Sequence, residues 1–95
     1  MSKLALPESF SDAWDIVTSE FRSEMMLMAS YKPGATTIVI YLGNFKKLRV
    51  PLSWIEEKYP DSSIDPNDLS NRGLGQLLYL GDCIVEISDV LKAFK

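Results

Sequence analysis

The sequence predicts an α+β fold: a mostly antiparallel sheet of about five strands, a three-strand meander plus a hairpin, covered by an N-terminal amphipathic helix. Short helices are expected after the meander and at the C-terminus. Three observations carry this. Phe10, Ala13, Trp14, Val17 and Phe21 recur at spacings of three and four, one face of a helix. Runs with alternating apolar residues occupy Thr36–Leu42 and Phe45–Leu52. Two Gly-first pairs, Gly43-Asn44 and Gly81-Asp82, separate β-like runs and suit primed hairpin turns.

The elements follow in order. Ser9 can cap the first helix, and Asp12 and Asp15 sit where its dipole favours acids. Glu24–Tyr31 reads better as a strand than as a continuation of that helix, because Lys32-Pro33-Gly34-Ala35 is a turn and a strong strand follows. Thr36–Leu42 is apolar on both faces and belongs at the centre of the sheet. In Phe45–Leu52, Leu48, Val50 and Leu52 face one way, and Lys47, Arg49 and Pro51 the other. Pro51 marks an edge or an end. Ser53 and Glu56 form a capping box for a helix from Trp54 to Tyr59, stopped by Pro60. Residues 61–75 read as a polar loop, with one or two helical turns starting at Asp65-Pro66. Gln76–Leu80 and Cys83–Ile87 make the second hairpin, and Ser88 caps a last helix, Asp89–Phe94.

Length and composition bound the chemistry. The 95 residues, 46% hydrophobic and 24% charged, suit one globular domain spanning 1–95. No apolar run approaches a membrane span, and Met1–Leu6 is too short for a signal peptide, so the expected compartment is the cytoplasm. A net charge of −3 counts against direct nucleic-acid binding. The chain has no histidine and one cysteine, Cys83. That removes Ser-His and Cys-His catalysis, the usual general base and any cysteine cage for a metal. Asp61, Ser63, Asp65 and Asn67 alternate like the start of a calcium loop, but Pro66 and Arg72 stand where that loop needs Gly and Glu. Gly73-Leu74-Gly75 lacks the third glycine of a dinucleotide loop. No catalytic, metal or cofactor site is expected.

At Val50-Pro51-Leu52-Ser53-Trp54 the chain resembles a small bacterial domain family of unknown function. In that family a strand ending in V-P-L-S-W is followed by a glycine turn and a closing strand. Here the later element is Leu80-Gly81-Asp82-Cys83-Ile84. The resemblance runs from Thr37 to Phe94 and implies an accessory role, at times beside toxin-like partners. It brings no site residues. The aromatic N-terminal helix and the lack of an acidic W-x-x-L-D-x-D ending depart from the pattern.

The expected function is therefore a non-enzymatic regulatory one exercised by binding another protein, antitoxin-like or accessory. The alternatives are a small acidic phage-type inhibitor of a host nucleic-acid enzyme (anti-CRISPR-like), a small enzyme or ligand-binding fold using carboxylates and Tyr, or a homodimeric structural module. The residues expected at the partner surface are Trp14, Phe21, Met26, Met28, Lys47 and Arg49. Asp61, Asp65 and Asp68 join them in the inhibitor reading, where carboxylates would occupy a channel meant for phosphates.

Overall fold

The computed structural model describes residues 3–94. In chain order the elements are β1 (Lys3–Ala5), α1 (Phe10–Thr18), a 3-10 turn at Arg22–Glu24, β2 (Met26–Tyr31), β3 (Thr37–Leu42), β4 (Lys47–Pro51), α2 (Leu52–Lys58), β5 (Ile64–Arg72), β6 (Leu77–Gly81), β7 (Cys83–Glu86) and α3 (Ile87–Phe94). The fold is α+β. In place of one five-stranded sheet there are two antiparallel sheets, β1-β2-β3-β4 and β5-β6-β7.

The two unforeseen strands have identifiable causes. β1 is three residues long and owes its existence to Tyr31, Ser30 and Ala29, far along the chain. β5 replaces the expected loop and helical turn. Its register shifts between Ile64 and Leu69, and Asp65 Oδ1 accepts from the Asn67 N–H at 3.1 Å inside the irregular stretch. Pro66 is tolerated because β5 is an edge strand with a bulge.

The meander follows its alternation. Val50 is buried while Lys47 and Arg49 are exposed, and β4 ends at Pro51 on the sheet edge. β2 carries a bulge at Leu27. This explains a correction. Met26 and Met28 are two apart, but the inserted residue puts them out of phase. Met26 pairs with Leu42 in the core, whereas Met28 pairs with Tyr41 on the other face. Met26 is fully buried and is no part of a partner surface.

The two Gly-first turns diverge. Leu80 pairs with Cys83 across Gly81-Asp82, and Gly81 takes φ 64°, as a Gly-first hairpin requires. At the other turn Phe45 occupies the left-handed region, φ 67°, with its N–H donating to the Leu42 carbonyl at 2.9 Å. Gly43 serves a different purpose. A Cβ there would lie 2.8 Å from the Arg22 carbonyl and 2.9 Å from Ile16 Cγ2, so only glycine lets α1 approach. α2 begins at Leu52, with Pro51 in the capping position and no side-chain cap, so the Ser53 box does not form. α3 starts at Ile87, directly after β7, which places Ser88 inside the helix.

One core serves both sheets. Ala29, Ile38, Ile40 and Val50 meet Leu78, Leu80, Cys83 and Val85, with Ile55 of α2 and Ile87 and Val90 of α3 closing it. Trp54 and Phe94 stack edge to face at 5.1 Å between the two helices. Tyr59 ties the same pair: its hydroxyl donates to Asp89 Oδ2 at 3.0 Å and accepts from the Glu86 N–H at 3.3 Å. The sheets are stitched at the β2 bulge. Buried Asn71 donates to the Leu27 carbonyl at 3.0 Å and to that of Met26 at 3.4 Å. The Met26 N–H donates to the Gly75 carbonyl at 2.9 Å.

The expected cover is the main correction. α1 contributes nothing to this core; α2, α3 and the second sheet cover the first sheet instead. Ser9 does cap α1, accepting from the Asp12 N–H at 3.1 Å. The helix is rotated about a quarter turn from its aromatic stripe, taking 3.6 residues per turn. Ile16 is the buried anchor, and Phe10 and Trp14 point to solvent.

Candidate interaction surface

α1 is held by small and β-branched groups and displays large aromatics. Ile16 packs where Gly43 allows contact, with Ala13 and Val17 half-buried beside it. Phe10 is 85% exposed, Trp14 61% and Phe21, just past the helix, 60%. Phe10 and Trp14 are one helical turn apart on the same face. Fully burying one such side chain is worth about 1.5–3 kcal/mol, and these three large side chains are left in water.

Phe21 also lines the mouth of a groove of about 580 Å³ between the α1–β2 connection, the β5–β6 turn and α3. Met25 and Leu91 supply its apolar wall, and Ser19, Glu24, Gln76, Ser88 and Lys92 its polar groups. Glu24 is the one carboxylate in this lining.

The β-turn aromatic Phe45 is 72% exposed despite its unfavourable backbone. Left-handed φ in a bulky residue costs roughly 1–2 kcal/mol. It sits beside Lys46 and Lys47 at the tip of the β3–β4 hairpin.

The face of the first sheet opposite the core carries the basic residues. Leu4, Ser30, Val39 and Arg49 form one cross-strand row, and Met28, Tyr41 and Lys47 another. Lys47 and Arg49 are exposed; Met28, Val39 and Tyr41 are half-buried. Asp61, Asp65 and Asp68 are exposed too, before and along β5, away from α1 in sequence and in element.

The buried titratable groups belong to the frame. Cys83 is fully buried, and desolvation pushes its thiol up, against the lowering effect of a hydrogen bond with Ser62. A thiol held protonated is a poor nucleophile. Tyr59 is pushed up to about 12, first by burial, with Asp89 favouring the protonated hydroxyl and the Glu86 N–H opposing. Among the described residues, no three His, Cys, Asp or Glu side chains cluster to hold a metal ion. No described helix is long and apolar enough to cross a membrane.

Of the expected partner residues, Trp14, Phe21, Lys47 and Arg49 are on the surface and Met28 is half-buried. Phe10, Phe45, Met25 and Leu91 were missed as surface or groove residues. For Phe45 a signal existed: an aromatic inside a turn has no core to enter. For Met25 and Leu91 none did, since only the fold brings them together. Set against known proteins, the chain matches no family model, no curated protein and no solved structure.

Proposed function

We propose that this chain is a non-enzymatic regulatory module that works by binding another protein through the aromatic face of α1. The observation that carries it is a helix outside the core whose two largest side chains, Phe10 and Trp14, face solvent. A helix kept only for stability would turn those side chains inward. Aromatic anchors of this kind dominate binding energy at protein interfaces. Phe21 and the groove beside it extend the surface. An antitoxin-like or accessory role in the cytoplasm fits a small acidic chain with no histidine. The test is capture of a partner by the wild-type chain and by F10S/W14S. Capture by the first and not the second supports the reading; equal capture removes α1 from it.

The exposed Asp61, Asp65 and Asp68 favour one more specific version, inhibition of a nucleic-acid enzyme by occupation of its phosphate channel. Reversing all three charges abolishes such inhibition; retained inhibition excludes it.

A further inference from the structure

Charge along this chain is segregated. Residues 4–21 hold four acids, Glu8, Asp12, Asp15 and Glu20, and no base. Residues 25–55 hold four bases, Lys32, Lys46, Lys47 and Arg49, and no acid. The first block contains α1; the second is the β2–β4 meander and the start of α2. Each block is amphipathic in the same sense. α1 offers Phe10 and Trp14 with Asp15 next to them, and Glu20 follows near exposed Phe21. The meander offers Val39 and Tyr41 directly opposite Arg49 and Lys47.

Within one chain the two surfaces do not satisfy each other. The one ion pair among the described residues joins Glu8 to Arg72 at 3.8 Å, outside the basic block. Asp12, Asp15, Glu20, Lys46, Lys47 and Arg49 make none there, and the aromatics of α1 point to solvent.

We propose that the partner of α1 is a second copy of this chain, whose basic outer sheet face around Val39, Tyr41, Lys47 and Arg49 receives Phe10 and Trp14. The proposal rests on the reading of α1 as the binding face. The aromatics and the half-buried Met28, Val39 and Tyr41 supply the apolar contact. Carboxylates of one copy flank it against ammonium and guanidinium groups of the other, which fixes orientation and speeds encounter. Every copy carries one of each surface, and in the proposed pair the two contacts form reciprocally about a two-fold axis.

Charge exchange tests this without knowledge of any other molecule. Two full-length variants are made, D15K/E20K and K47E/R49E. All four positions are exposed, and circular dichroism checks that each variant keeps the fold. Light scattering and sedimentation then give mass against concentration and salt. The wild type associates, more weakly as salt rises. Each variant alone faces like charge across both contacts and dissociates about tenfold or more readily. Mixed together they restore opposite charge at both contacts, and the heterodimer recovers. W14S weakens association without altering its salt dependence. A wild type that stays monomeric at every concentration, or a mixture that fails to recover, overturns the self-pairing. A monomer that still captures a different protein through Trp14 overturns only the identity of the partner. A monomer whose capture ignores Trp14 overturns the binding face as well.

Discussion

α1 and α3 are nearly equal in length, nine and eight residues, and both are amphipathic. One lies outside the core with aromatics in water; the other is keyed into it. α3 leaves β7 with no intervening residue, so the strand fixes its rotation and drives Ile87 and Val90 inward. α1 is reached through the turn at Leu6–Ser9 and is gripped by Ile16 at the glycine of a neighbouring hairpin. Periodicity shows that a face exists. The covalent and steric frame around the helix decides where it points.

The largest effects are expected where the core that holds α3 is loosened. Ile87→Ala should cost about 2–5 kcal/mol in chemical denaturation, because a fully buried side chain leaves a cavity. Asn71→Ala should cost about 1–3 kcal/mol, since one buried and one partly buried carbonyl lose their donor. An Asn71→Ala variant as stable as wild type would mean that the sheets hold together without the stitch.

Tyr59→Phe should cost about 1 kcal/mol from the lost hydrogen bonds. It also has a pH signature. The fold favours the protonated hydroxyl, so the unfolded chain releases this proton first. The stabilisation is fully present below about 10 and disappears as pH rises through about 12. Unfolding titrations across that window should converge for wild type and variant. Phe45→Gly should gain up to about 1 kcal/mol, as glycine adopts the left-handed turn without strain. The smallest effect is expected at Trp14. Trp14→Ser should change stability by no more than about 0.5 kcal/mol while weakening partner capture. A loss of about 2 kcal/mol there would make α1 a structural helix after all.

These residues also mark what could be read from the chain itself. β3 and β4 were legible because alternation with β-branched residues leaves little choice, and the bounds of β7 and α2 fell within two residues of the reading. The class α+β followed. The second sheet did not, because β5 is written in Asp, Pro, Asn and Ser, which locally favour turns. Only pairing with Leu77–Leu80 makes it a strand. β1 was equally silent, since its partner lies some 25 residues away. The surface was half legible. Trp14 and Phe21 stood out as large aromatics, and Lys47 and Arg49 by parity along β4. Met26 was misplaced by a bulge that no residue in Met25–Met28 announces.

The Asn71 stitch has a consequence for how the protein is made. Its two acceptors lie 44 and 45 positions earlier, and Met26 waits for Gly75 as well. A ribosome delivers the first sheet, β1 to β4, well before β5 emerges. During that interval the newborn chain holds an apolar sheet face that only α2 can cover and a bulge with unclaimed carbonyls. Contacts of such long sequence separation form late, and exposed β surface is prone to aggregation meanwhile. Fragments ending near Lys58 should accordingly be insoluble.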